Sequence, residues 1–223
     1  RDIFLAILGH DLRAPLQAVS MSTELLLRKA KLEGDALACA HNIKRGARHM
    51  AVMVSDLLEL VRSRLGKSLP IEPAPMDLAD AAHAAIGEAC AGNPECDPKL
   101  VISGNTEGNW DRGRLDQLLQ NLIGNALQHG LNKRDVTITL AGEPDAVCLT
   151  VHNFGKPISE EAIGTIFDPL VRSADEELGQ PSTSLGLGLF IVNEVVQAHS
   201  GTIEVSSNET DGTLFTVVLP RNI

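Results

Sequence analysis

At 223 residues the chain is long enough for one large domain or two. Hydrophobic residues at 43% support a core, aromatics at 3% make it an aliphatic one, and no run of about 18 apolar residues marks a membrane span. The net charge of −10 is uneven: residues 1–66 carry ten basic against seven acidic side chains, the remainder nine against twenty-two. So acidic a second part argues against nucleic acid as a partner. It also leaves any phosphate ligand there to be held by backbone amides and a metal ion more than by basic side chains. The four cysteines, Cys39, Cys90, Cys96 and Cys148, lack metal-ligand spacing and predict a reducing, cytoplasmic compartment; Cys90 and Cys96 could bridge but are expected reduced. No signal peptide is read at the start, and a chain that opens at Arg1 inside a helical pattern is expected to be a piece of something longer.

The pattern predicts one long helix over residues 2–30, with Leu5, Leu8, Leu12, Leu16, Val19, Thr23 and Leu26 on one stripe and His10 nearly opposite. Pro15 cannot donate to the carbonyl of Asp11, so a bend is expected below the histidine. Asp11 beside it can fix the imidazole tautomer and accept a proton. A turn at 31–35 leads to a second helix with Leu37, Ala40, Ile43, Ala47, Met50, Val54, Leu57, Leu58, Val61 and Leu65 on one face. Such a hairpin has too much apolar surface to stand alone, and two copies forming a four-helix bundle would cover it.

A domain boundary is read at 66–70. Beyond it strands are predicted over 71–75, 100–103, 135–141, 146–152, 202–207 and 213–220. Helices are predicted over 77–91, capped by Asp77, and over 111–131 and 187–199, with a mobile loop over 168–183. The fold class is α+β: the helical hairpin, then an α/β sandwich with a mixed sheet and helices on one face.

Phe4, then His10-Asp11-Leu12-Arg13, then Pro15-Leu16 resembles the H-box of sensor histidine kinases. Within the predicted helix 111–131, Asn121 and Asn125 stand one turn apart on an otherwise apolar surface. With Gln128 and His129 they resemble the N-box of the GHKL ATPase fold. Asn153-Phe154-Gly155-Lys156-Pro157 resembles its first glycine box, whose usual Asp, Gly and Gly are here Asn153, Gly155 and Pro157. Phe167 and Arg172 fall in a stretch similar to the F-box, and Gly186, Leu187 and Gly188 open a helix as the second glycine box does. Four boxes in family order behind an H-box cover essentially the whole chain.

The resemblance implies a dimerisation and histidine phosphoacceptor hairpin over 1–66 and an ATP-binding catalytic domain over 67–223. It implies ATP and Mg²⁺ as cofactors, with Asn125 the metal ligand and Asn121, Gln128, His129, Asn153, Gly155, Phe167, Arg172, Gly186, Leu187 and Gly188 around the nucleotide. His10 would take the γ-phosphoryl group while Asp11 takes its proton, and an aspartate of a response regulator would receive the group in turn. A homodimer through 1–66, a receiver domain and an upstream sensor are the implied partners. Ala14 stands one helical turn after His10, where many members carry Thr or Asn, and implies a poor phosphatase; Ile3, Ile7, Ala14 and Met21 would form an apolar landing patch on the His10 face. Two other readings remain open: a pseudokinase scaffold, suggested by the altered first glycine box, and another GHKL ATPase of the topoisomerase, chaperone or repair type. His41, His49, His83, His152 and His199 are expected to be solvated or packing residues.

Overall fold

The structure, a computed structural model, describes residues 2–30, 32–91, 93, 95–133, 135–171 and 186–222, the side chains of residues 2–13 and of His49 excepted. It divides into two compact units, one reaching Lys67 and the other starting at Ser68.

The first unit is two long helices, α1 (Asp2–Lys29) and α2 (Gly34–Arg64), packed on each other. α1 is helical on both sides of Pro15. Gly34, at φ 53°, gives the connection a left-handed turn that most residues resist. The predicted apolar stripe of α1 divides in two. Leu16 and Thr23 turn inward, the Thr23 hydroxyl donating to the Val19 carbonyl at 2.7 Å, whereas Val19 and Leu26 stay 42% and 53% exposed. Three residues along a helix amount to about 60° of rotation short of a full turn, so a single partner helix covers only one of these rows. α2 repeats the geometry: Ala40 and Ala47 are buried, while Ile43, Met50 and Leu57 remain exposed.

The second unit is a five-stranded mixed sheet in the order β2 (Lys99–Ser103), β4 (Thr137–Gly142), β5 (Ala146–Asn153), β7 (Gly212–Pro220), β6 (Thr202–Asn208). β2 and β4 are parallel and the other neighbours antiparallel. β1 (Ala74–Asp77) pairs with β3 (Glu107–Trp110) as a separate antiparallel ribbon. The first strand therefore lies later than the predicted 71–75, and β3 has no forerunner in the sequence pattern, since Glu107-Gly108-Asn109-Trp110 has no alternation and is made a strand by its partner.

Alternate residues of the central strands are fully buried: Ile138 and Leu140, Val147, Leu149 and Val151, Val217 and Leu219. This is the signature of a sheet covered on one face. The cover comes from α3 (Leu78–Ala89), α4 (Arg112–His129) and α6 (Gly188–Ala198), with α4 between the other two. A short helix, α5 (Glu160–Ile163), capped by the Ser159 hydroxyl, was not predicted. α3 begins as expected, with the Asp77 carboxylate accepting the Ala79 N–H.

Cys90 and Cys96 form a disulfide, against the expectation of a reduced pair. The turn that follows α3 brings their Cα atoms to 5.2 Å, within the span a disulfide bridges. Cys39 and Cys148 are free.

Candidate nucleotide site and phosphoacceptor helix

α4 is fixed at its start before it presents anything. Asp111 caps it, the carboxylate accepting the N–H of Arg114 and, from outside the helix, that of Glu72. Burial works to raise the Asp111 carboxyl, but these backbone donors outweigh it and hold the group below its ordinary range. From there Leu115, Leu118, Leu119, Leu122, Ile123 and Ala126 bury one side of the helix in the core. Asn121 and Asn125, both half-buried, are carried on the remaining stripe.

The two ends of that stripe meet the other candidate residues. At the Asn121 end, α6 begins without a side-chain cap at Leu187, leaving its first N–H groups to other partners. A β-carbon at Gly188 would lie 2.7 Å from the Asn121 Oδ1, so glycine is what lets this helix start come so close to α4. The Asn121 amide nitrogen is already committed, donating to the Gln117 carbonyl at 3.0 Å, and its oxygen faces the helix start. Just ahead, the N–H of Leu170 bonds the carbonyl of Gly186 at 3.0 Å, both residues having φ near +70°.

At the far end, about 12 Å along α4 from Asn121 to His129, the loop after β5 is tied to the helix. Gly130 and Gly155 form an antiparallel bridge, and Leu131 N–H bonds the Phe154 carbonyl at 2.8 Å. Gly155 packs where a β-carbon would overlap the His129 carbonyl. Asn153 closes β5 and is only 5% exposed.

The remaining candidates are less alike. Phe167 stacks edge-on against core Phe215, with ring centroids 6.5 Å apart, and so anchors its stretch of chain. Gln128 and His129 are exposed. By helical rotation Gln128 sits at the border between the Asn121 face and a groove of about 430 Å³ that it lines with Glu88, Gln120 and Lys133. Arg172, and residues 172–185 of the expected mobile loop, lie outside the described residues. His10 and Asp11 lie within α1, and their side chains are likewise outside the description. His199 is the packing residue it was expected to be.

Two further residues adjoin Asn153 through the sheet register. Thr213 is paired in register with Asn153 and is equally buried. Ser207 is paired with Thr213 on the next strand, and their hydroxyls are 2.7 Å apart. The signal was the alternation itself: both keep step with the core-facing residues of β7 and β6, yet both are polar.

The donor set suits a nucleotide held with a hard cation. Among the described residues no three His, Cys, Asp or Glu side chains cluster as metal ligands. Asn125 instead offers a neutral amide oxygen, the kind of ligand Mg²⁺ takes alongside phosphate oxygens. An uncapped helix start faces the Asn121 end, and the Asn153 amide stands at the other.

Comparison with known proteins identifies the family. Residues 110–223 match the model of the histidine kinase-, DNA gyrase B-, and HSP90-like ATPase family, and residues 1–66 that of the His Kinase A (phospho-acceptor) domain. The chain is 32% identical over 221 residues to a bacteriophytochrome of Pseudomonas aeruginosa, covering 99% of this chain and 30% of the relative. It is 35% identical over 227 residues to the probable sensor histidine kinase TcrY of Mycobacterium tuberculosis, covering 97% of this chain and 45% of TcrY. The chain thus spans less than half the length of these relatives. Among solved structures, full-length ShkA in complex with AMPPNP superposes with a TM-score of 0.69 at 25% identity, over 97% of this chain and 45% of ShkA. The histidine kinase AdeS of Acinetobacter baumannii shares the fold, with a TM-score of 0.63 at 22% identity over 96% of this chain and 98% of its own. The chain belongs to the histidine kinase-, DNA gyrase B-, and HSP90-like ATPase family, and within it is the catalytic core of a sensor histidine kinase.

Proposed function

We propose that the chain phosphorylates itself on His10 from Mg-ATP and passes the phosphoryl group to an aspartate of a separate response regulator. A ring nitrogen of His10 attacks the γ-phosphorus, the bond to the β–γ bridging oxygen breaks, ADP leaves, and Asp11 accepts the imidazole proton. Positioning and charge neutralisation do most of the work in such a transfer. Asn125 would hold Mg²⁺ through its amide oxygen, the metal offsetting phosphate charge in a unit poor in basic side chains. Asn121 and the start of α6 would receive the phosphates, and Asn153 the adenine amino group. The observation that carries the reading is the placement of Asn153 and of the Asn121–Gly188 approach at opposite ends of one stripe of α4.

The hairpin would supply the dimer. Val19 and Leu26 on α1, with Ile43, Met50 and Leu57 on α2, form rows seven residues apart that stay 42–53% exposed. A second copy burying them would complete a four-helix bundle. The domains would then divide at 66–67. No helix among the described residues is long and apolar enough to cross a membrane; a sensor preceding residue 1 and a receiver domain are the partners this reading requires.

Isotope transfer from γ-labelled ATP to the chain tests the proposal. Label that is acid-labile and base-stable, as a phosphoramidate should be, supports it. Tight ATP binding without any label would favour the pseudokinase reading, and brisk ATP turnover without label the unrelated-ATPase reading.

A further inference from the structure

The helix-covered face of the sheet is apolar row after row. Across β5, β7 and β6 the registers run Leu149–Val217–Ile203 and then Val151–Phe215–Val205. The next row on that face is Asn153–Thr213–Ser207, three polar side chains side by side. A core that simply ended there would need no such row, because polar groups under a helix layer are costly unless paired.

Ser207 is the member of the row with a second engagement. Its Oγ accepts the N–H of Ile158 at 3.0 Å, and Ile158 closes the loop that starts at Asn153 and contains Gly155 and Pro157. The same Oγ meets the Thr213 hydroxyl at 2.7 Å. One hydroxyl therefore fixes the far end of the loop and the rotor of the residue paired with Asn153. The β6–β7 turn grips the near end too. The His152 ring bonds the Asp211 carbonyl at 2.6 Å through Nε2, and Gly212, at φ 73°, sits where a β-carbon would strike the Asn153 carbonyl. Loop and turn thus form one clasped unit around the buried Asn153 amide.

We infer that Ser207 is a positioning residue for nucleotide recognition: it holds the 153–158 loop and the Thr213 hydroxyl in the one arrangement that presents a defined donor and acceptor pattern beside Asn153, and so sets base selectivity as well as affinity. Ser207 touches no nucleotide itself. The inference rests on the assignment of this end of the unit to the base, and it adds a residue on a different strand, reached only through the sheet register.

The test is titration of Mg-ATP and Mg-GTP against the full 223-residue chain as native protein, Ser207→Ala and Ser207→Thr, with thermal unfolding of each alone. One lost hydrogen bond is expected to weaken ATP binding about fivefold in Ser207→Ala. The ATP-to-GTP preference should fall with it, and Ser207→Thr, which keeps the hydroxyl, should restore both. A Ser207→Ala chain that melts earlier but keeps the native affinity and preference would assign the hydroxyl a merely structural role and overturn the inference. Equal binding by all three chains would overturn it as well. If the native chain binds neither nucleotide, the proposed function itself fails and this inference goes with it.

Discussion

The imidazole of His199 accepts the backbone N–H of Asp111 at Nε2, at 3.1 Å, across 88 residues of sequence. Its other nitrogen lies 2.8 Å from the Val195 carbonyl, which can only accept, so the proton sits on Nδ1 and the ring is neutral. His199 follows the last turn of α6 and Asp111 caps the first turn of α4. One fully buried ring therefore joins the end of one site helix to the start of the other.

That geometry makes stability depend on pH. Burial pushes the His199 imidazole below its usual range, although the Val195 carbonyl and the Asp111 carboxylate pull the other way. With its folded value depressed, the ring contributes stability that is fully present above the ordinary value of about 6.5 and is lost as pH falls through the lower folded value. The loss is at most about 1.4 kcal/mol per pH unit for one proton. Urea unfolding at pH 7.5, 6.5 and 5.5 should show the native chain losing stability faster than His199→Gln, which can accept from Asp111 but does not titrate. Parallel pH profiles would remove His199 as the cause.

A second expectation concerns the buried amide. Asn153→Asp replaces a neutral acceptor by an ionised one, and charge-assisted hydrogen bonds are roughly twice as strong. ATP affinity should rise about tenfold, and discrimination against GTP should sharpen. Isothermal titration decides it; an Asn153→Asp chain that binds ATP no better than native shows that the acceptor is not what limits binding.

The exposed rows of the hairpin carry a third. Placing a charge at Ile43, which is 53% exposed in the single chain, should disturb little within one hairpin but oppose burial against a second copy. Sedimentation at micromolar concentration should find a dimer for the native chain and a shift toward monomer for Ile43→Glu. A native monomer would contradict the bundle.

How much of this could be read from the chain varied with the range of the cause. Asp111 and Asp77 were legible as caps because a cap acts within three residues, and β4, β5 and β7 because alternation is local. β3 was not, because Glu107–Trp110 becomes a strand only through its pairing with β1. On α1, sequence marked Leu16, Val19, Thr23 and Leu26 as apolar-facing, but which of two rows meets α2 is decided by the partner helix. The disulfide was misjudged because a separation of six allows both states, and it is the turn after α3 that brings the thiols together. Among the candidate site residues, Asn121, Asn125, Asn153 and the Gly186–Gly188 stretch could be nominated from sequence because each sits in a contiguous pattern. Thr213 and Ser207 join Asn153 only through the registers of three strands, with more than fifty residues of chain between, and no local pattern carries that information.

The central claim, that this core transfers the γ-phosphoryl group of ATP to His10, meets its most direct test in one experiment. The native chain and His10→Gln are incubated with γ-labelled Mg-ATP, and protein-bound label is followed through acid and base treatment. The account predicts acid-labile, base-stable label on the native chain and none on His10→Gln, with ATP affinity equal in the two. Label that persists at the native level in His10→Gln would contradict it.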